Sequence, residues 1–350
     1  MIDRNFNIAG DESGIAVVIP CFKVKRFILS VIERIDGLVS AIYVVDDACP
    51  EGSGDYVREH CTDPRVIVVK HEKNKGVGGA VMTGYRAAIA DGAKVIVKID
   101  GDGQMDPSLL REFVMPILGG EADYTKGNRF YDLSNISRMP AVRLFGNAGL
   151  SFLAKLSTGY WNIFDPTNGY TAIHADVAAK LPFDKISERY FFETDILFRL
   201  CTYRAVVVDV PMDAVYGEEV SNLKISRILG EFLRKHLRNF GKRLFYNYFL
   251  RDVSLASLEL VFGVLIFCFG LIFGAYHWQH STSTGIATPM GTLMIVALSL
   301  LFGLQLLLAF VGYDIASVPR RPIHRLFTIR RALRKRSGQA ADVANMSIGE

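Results

Sequence analysis

Asp100 and Asp102 stand one residue apart where the apolar run Ala93–Lys98 gives way to Gly101-Asp102-Gly103-Gln104-Met105-Asp106-Pro107. Paired carboxylates at such a junction can hold a hard divalent cation. Mg²⁺ in particular takes one or two carboxylates and completes its shell with waters and substrate phosphates. The same residues also suit a plain surface turn, since Asp and Gly are ordinary turn formers. A second pair, Asp46 and Asp47, closes the run Ala41–Val45. A carboxylate there can accept hydrogen bonds from a nucleobase or ribose, or cap a helix. Asn74-Lys75-Gly76-Val77-Gly78-Gly79-Ala80 opens a helical stretch. Its glycines permit close backbone approach, the helix N-terminus favours phosphate and Lys75 adds positive charge; a purely structural turn is the competing reading. The Walker A ending is missing. Glu193 and Asp195 follow Tyr190-Phe191-Phe192, either as acids on an acceptor side or as the acidic first turn of a helix.

The elements around these residues alternate. Ile15–Ile19, Ala41–Val45, Val66–Val69 and Val95–Val97 are short β-branched runs, separated by helix-length segments such as Phe27–Leu38, Ala80–Ala90 and Pro107–Leu118. Buried strands alternating with helices predict a parallel α/β sheet, whose ligand crevice lies at the carboxyl ends of the strands. Asp46, Asp47, Asp100 and Asp102 all fall at such ends, and this convergence favours a functional reading over isolated turns.

The chain has 350 residues, half of them hydrophobic yet 22% charged, with a net charge of +4. That mixture predicts a globular domain joined to apolar segments. Five cysteines without a C-x-x-C pair or a disulfide-like spacing fit a reducing compartment, and the first residues show no secretory apolar core. From Lys224 to Arg251, basic residues including Arg234, Lys235, Arg238, Lys242 and Arg243 interleave with apolar ones spaced by three and four. This pattern suits a helix lying on an anionic membrane surface, the alternative being a core-facing helix of a soluble domain. Leu260–Tyr276 and Leu293–Gly312 are each close to bilayer-spanning length, for which ~20 residues are needed. The loop His277–Thr288 carries no Lys or Arg, whereas Arg320 to Arg336 is strongly basic. The positive-inside rule therefore predicts both flanks in the cytoplasm. The expected domains are 1–223, catalytic; 224–256, amphipathic and juxtamembrane; 257–313, two transmembrane helices; and 314–350, a basic cytosolic tail with a disordered end.

The order VVIPCFK (17–23), VVDDACPEGS (44–53), NKGVGGA (74–80) and KIDGDGQMDP (98–107) resembles the nucleotide-sugar-binding half of family 2 glycosyltransferases of the GT-A fold. KGNRF (126–130) and DPTNGY (165–170) resemble the subgroup that makes polyprenyl-phosphate sugars, such as dolichol-phosphate mannose synthases and bacterial undecaprenyl-phosphate glucosyltransferases. The resemblance covers roughly residues 13–220. It implies a GT-A, Rossmann-like α/β domain followed by amphipathic helices and a two-helix membrane hairpin. It implies nucleotide-sugar contacts at Pro20, Asp46, Asp47, Lys75, Gly76, Gly78, Asp100 and Gly101. It implies Mg²⁺ or Mn²⁺ at Asp100 and Asp102, and Gln104 beside the transferred sugar. Arg129 and Arg143 correspond to lipid-phosphate ligands, with Asn147 where the family often has Ser. Cys21, Phe22 and Lys23 depart from the polar residues usual after the proline.

These implications predict a metal-dependent, inverting hexose transfer from a UDP-sugar to polyprenyl phosphate at the cytoplasmic face of the inner membrane. Membrane lipids are expected partners, a homo-oligomer is plausible from the relatives, and no nucleic acid is expected. Glu193 and Asp195 are candidate catalytic acids; with an acceptor that is already anionic, orienting the sugar or an arginine suits them better. Asp165 is expected to steady its loop, and Tyr216–Glu219 is a candidate closing loop. A polysaccharide synthase fits less well, because neither Trp161 nor Trp278 completes a Q-x-x-R-W motif. A membrane-anchored nucleotide-sugar sensor would need no acceptor-side arginines, and a nucleotidyltransferase would need no membrane hairpin.

Overall fold

A computed structural model describes residues 14–131, 141–213 and 225–327, with backbone alone for 141–145 and 225–229. Tyr216–Glu219 and the basic residues from Arg330 onward lie outside the described residues. The chain forms two compact units. One runs to His236 and resumes at Pro319; the other is Leu237–Val318.

The first unit is built on a seven-stranded sheet. β1 (Ile15–Cys21), β2 (Val39–Asp46), β3 (Val66–Lys70) and β4 (Val95–Lys98) are the four β-branched runs expected, and they pair in parallel in the order β3-β2-β1-β4. They alternate with α1 (Ile28–Glu33), α2 (Ser53–His60) and α3 (Val77–Ala90), and α4 (Leu110–Leu118) follows β4. α1 is shorter than the stretch Phe27–Leu38 suggested, because the Asp36 carboxylate accepts from Leu38 N and turns the chain at Gly37.

The sheet is mixed rather than wholly parallel. β5 (Tyr124–Asn128), β6 (Thr171–His174) and β7 (Val207–Pro211) extend it in the order β4-β6-β5-β7, with β6 antiparallel to both its neighbours. α5 (Ala141–Thr158), the one-turn α6 (Ala175–Ala178) and α7 (Phe192–Tyr203) lie between these strands in sequence. One sheet face packs Val17, Ile19 and Val97 against Ile28, Val31 and Phe113. On the other, Val18 meets Gly84 of α3 so closely that any Cβ there would run into it. Overpacking of this kind is destabilising, so the site calls for glycine.

Asp123, just before β5, ties distant segments together. Its fully buried carboxylate accepts from Val206 N, Ile323 N, His324 N and His324 Nδ1 at 2.7–2.9 Å, and the His324 ring stacks on His174 at 4.4 Å. Burial alone would raise the Asp123 pKa. The hydrogen bonds from His324, Val206 and Ile323 outweigh it and hold the group below the usual carboxylate range. The unfolded-state pKa is ~3.9. With the folded-state value lower still, the stability Asp123 contributes is complete above that unfolded value and is lost as pH falls through the folded-state pKa. Asp123→Asn is therefore expected to lower stability at neutral pH and to flatten its fall on acidification, as read by thermal unfolding in detergent from pH 6 to pH 3.

The amphipathic helix α8 (Ile225–Phe245) crosses the division between the units. Within the first unit, Phe232 and His236 pack on Phe191, and His236 Nδ1 meets Ser157 Oγ at 2.8 Å. Burial pushes the His236 pKa down to about 4.

The second unit holds α9 (Leu255–Thr284) and α10 (Met290–Ala316), both long and apolar enough to cross a membrane. α9 runs well past Tyr276. Thr282 and Thr284 hydroxyls bond back to carbonyls one turn earlier, and the helix ends at Gly285 in the left-handed region. The helices pack closely at Gly303, where a Cβ would lie 2.6 Å from Phe267 N. Arg243, one of the basic residues expected on a helix lying on an anionic membrane surface, is buried. Its guanidinium grips Asp314 at 2.6 and 3.0 Å, and Tyr248 OH donates to the same carboxylate at 2.5 Å.

Candidate active site

The carboxyl ends of β1, β2 and β4 meet along one edge of the sheet, where Pro20, Asp46, Asp47 and Asp100 gather. Asp46 is fully buried, and its two oxygens accept from Cys49 N (2.7 Å) and Gly54 N (2.9 Å). Asp47 Oδ1 accepts from Lys75 N at 2.8 Å and meets His71 Nδ1 at the same distance, while Oδ2 accepts from Gly76 N at 2.7 Å. Both carboxylates, expected at the nucleoside, thus shape the loops that would surround it. His71, unmarked in the sequence reading, bridges Asp47 to Thr83 Oγ1 at 2.9 Å.

The close approach expected to serve a phosphate at the Gly-rich turn is taken up by the chain itself. Gly76 has φ +85°, and a Cβ there would meet Glu188 O at 2.7 Å; one at Gly78 would meet Ser187 O at 2.5 Å. Gly79 N donates to Glu188 O at 3.0 Å. The Lys75 side chain is exposed at this edge.

Asp100 and Asp102 sit in the turn after β4. Asp102 Oδ1 accepts from Gln104 N at 3.0 Å, Gly103 takes φ +77°, and Gly101 packs over Val24 and Ile28. Asp100 is 27% exposed and Gln104 half-buried. Among the described residues no group of three or more His, Cys, Asp or Glu could hold a metal by itself. Two carboxylates on a turn are the donor set a hard divalent cation uses when substrate phosphates supply the remaining ligands. The residues present therefore fit Mg²⁺ or Mn²⁺ bound together with a diphosphate.

Beneath this turn a transverse row of partners crosses the sheet: Val18, Lys98, Thr171, Lys126 and Asp209. Lys98 is 2% exposed and pairs with Asp100 Oδ1 at 2.7 Å. Lys126 Nζ donates to Asn168 O. Glu193, in the first turn of α7, interacts electrostatically with Lys98, Lys126 and Asp100. Burial pushes the Glu193 carboxyl up and the Lys126 ammonium down, and each charge opposes the shift of the other. Burial likewise pushes Asp209 up to about 6.

Asp195, expected to share a catalytic role with Glu193, is buried; it accepts from Ser187 N at 2.9 Å and lies 3.6 Å from Arg199. These contacts fix the loop before α7. Arg129 follows β5 and is gripped by fully buried Asp165, with Nε to Oδ2 at 2.8 Å and Nη2 to Oδ1 at 3.1 Å. Asp165 thus does steady its loop, by aiming an arginine. Arg143 and Asn147 share α5; the backbone of Arg143 is described and Asn147 is half-buried.

Asp100 pairs with Lys98 and Asp165 with Arg129, and Lys126 interacts electrostatically with Glu193, Asp165 and Lys98. Sequence reasoning passed over Lys98 and Lys126. The available signal was a lysine within each of two strands, at the end of Val95–Lys98 and at the centre of Tyr124–Asn128.

Residues 16–181 match the family described as Glycosyl transferase family 2. The chain is 32% identical over 210 residues to an uncharacterized protein of Methanocaldococcus jannaschii, covering 59% of this chain and 84% of that one. It is 31% identical over 194 residues to the undecaprenyl-phosphate mannosyltransferase of Micrococcus luteus, covering 55% and 79%. It is 28% identical over 218 residues to the UDP-N-acetylglucosamine–dolichyl-phosphate N-acetylglucosaminyltransferase of Methanococcus voltae, covering 58% and 86%. Among solved structures, glucosyl-3-phosphoglycerate synthase of Mycobacterium tuberculosis in complex with UDP shares the fold, with a TM-score of 0.50 at 21% identity over 67% of this chain and 81% of that one.

Proposed function

The chain belongs to glycosyl transferase family 2, and from that premise we propose that it transfers a hexose from a UDP-sugar to polyprenyl phosphate at the cytoplasmic membrane face, with inversion. The observation that carries this reading is the Arg129 guanidinium held by the buried Asp165 carboxylate at the end of β5, in the same sheet as the β4 strand that ends in the Asp100–Asp102 turn. An anionic acceptor and an anionic donor need cations on both sides, and a guanidinium fork suits a phosphate. Two relatives named above act, by their names, on polyprenyl phosphates but carry different sugars, which supports the acceptor class and leaves the hexose open.

The lipid phosphate is already anionic near neutral pH, so no side chain need remove a proton from it. One of its oxygens attacks the anomeric carbon while the bond from that carbon to the diphosphate breaks, and the electron pair leaves with the nucleoside diphosphate. Arg129, aimed by Asp165, holds the attacking phosphate, with Arg143 and Asn147 on α5 as further acceptor residues. Asp100 and Asp102 would hold a divalent cation, which when bound offsets the charge on the departing diphosphate. Gln104 lies beside the transferred sugar. Asp46 and Asp47 serve the nucleoside through the loops they hold.

Two features support the membrane placement. The first unit is left after His236 and rejoined at Pro319, with two span-length helices between, so an even number of crossings returns the chain to its starting side. The connection Gly285–Pro289 carries no Lys or Arg, as the positive-inside rule requires of an outer loop.

The test is incubation of purified protein in detergent with undecaprenyl phosphate and a panel of labelled nucleotide sugars, with and without EDTA. EDTA-sensitive appearance of label in the organic phase from one UDP-sugar is expected. No lipid product from any donor, despite measurable UDP binding, would turn the reading to a sensor or another acceptor.

A further inference from the structure

Lys98 takes no part in the scheme above, although its ammonium lies 2.7 Å from Asp100 Oδ1 and is almost wholly buried. We propose that Lys98 is a resident counter-cation of Asp100 that keeps the Asp100–Asp102 turn from binding a divalent cation alone, so that metal and nucleoside diphosphate bind as one unit. This rests on the reading of Asp100 and Asp102 as metal ligands.

Three observations carry it. The first is charge. A divalent cation arriving by itself must share the Asp100 carboxylate with an ammonium already in contact with it. Two like charges at such range repel strongly where little water screens them. A nucleoside diphosphate reverses the balance, because its complex with the cation is net anionic and Lys98 then attracts it.

The second is fixity. Lys98 lies against the Phe192 ring, 5.6 Å from its centroid. The segment Asp165–Tyr170 passes so near the pair that a Cβ on Gly169 would run into Lys98 Nζ and come within 2.8 Å of Asp100 Oδ2. The ammonium is thus flanked by the Phe192 ring and the Gly169 backbone and is almost wholly shut off from solvent.

The third is the presence of a second carboxylate. Glu193 interacts with Lys98 and Lys126 and opposes Asp100. When a cation takes Asp100, the electrostatic interaction with Glu193 still favours the Lys98 ammonium. This lowers the cost of leaving that buried ammonium without its contact partner.

Mn²⁺ binding, followed by electron paramagnetic resonance with and without UDP and in the absence of any sugar donor or lipid, tests this directly. Wild-type protein is expected to bind Mn²⁺ far more tightly with UDP than without. Lys98→Met is expected to bind Mn²⁺ alone about tenfold or more tightly than wild type, shrinking the advantage UDP confers. Glu193→Gln is expected to move Mn²⁺ binding the other way. Lys98→Gln, which keeps a polar side chain without the charge, should follow Lys98→Met and serves if that variant does not fold. Unchanged Mn²⁺ affinity in Lys98→Met, or a shift of Lys98→Met and Glu193→Gln in the same direction, overturns the proposal. Asp100→Asn separates the two levels of the argument. If it binds Mn²⁺ and UDP together as wild type does, the metal reading fails and this proposal with it. If it loses that binding while Lys98→Met behaves as wild type, only the role of Lys98 is refuted.

Discussion

Asp100→Asn and Asp102→Asn are each expected to lower sugar transfer by about 10³-fold, the upper range for removing one preorganised electrostatic group from a reacting centre. The substitution keeps the shape of the side chain and removes its charge, so the loss reports charge rather than packing. In Asp100→Asn the amide oxygen can still accept from the Lys98 ammonium, but the buried charge loses its ion-pair partner and some thermal stability with it. Initial rates of organic-phase labelling should collapse at temperatures where the variant stays folded. In Asp102→Asn the amide oxygen can still accept from Gln104 N, preserving the turn. Either variant retaining transfer within tenfold of wild type would exclude the two carboxylates as the metal-holding pair.

The largest effect on stability is expected from the second unit. Arg243 and Asp314 are 2% and 3% exposed, and the pair is bidentate. Removing one partner strands the other charge in a buried place, which costs about 3–5 kcal/mol. Arg243→Met and Asp314→Leu should each lower the midpoint of thermal unfolding in detergent steeply. The double variant should regain most of the loss, because two apolar side chains need no partner. Equal and additive losses in the two single variants and the double would show that the ion pair is not the source of the effect.

These two sites show what was legible in the chain and what was not. β1 to β4 declare themselves because each is a β-branched apolar run, almost wholly buried in β1 and β4 and only partly in β3, and the aspartates fall at the carboxyl ends of β2 and β4. The two long apolar helices declare themselves by length. β5 to β7 do not, because Lys126, Asn128, Thr171 and Asp209 interrupt the apolar pattern; their polar side chains are buried or half-buried only because strands distant in sequence bring partners to them. Asp46 and Asp47 were legible as important residues, but their occupants were not, since the backbone N–H groups that fill Asp47 come from residues 28 and 29 positions away. Arg243 reads as one more basic residue on an amphipathic helix, and only its contact with Asp314, 71 residues on, removes it from that face. The pairing of Arg129 with Asp165 has the same non-local origin.

The four-bond clasp on Asp123 bears on how the protein is made. Two of its donors, Ile323 and His324, lie 200 and 201 residues downstream. At ordinary elongation speeds the ribosome takes roughly 10–40 s to span that distance. During that interval β5 can pair with its neighbours while the Asp123 carboxylate still lacks two of its partners, and both apolar helices emerge before those partners do. Closure of the Asp123 clasp thus follows synthesis of both apolar helices, so the bilayer insertion proposed for them would act as a checkpoint on completion of the first unit.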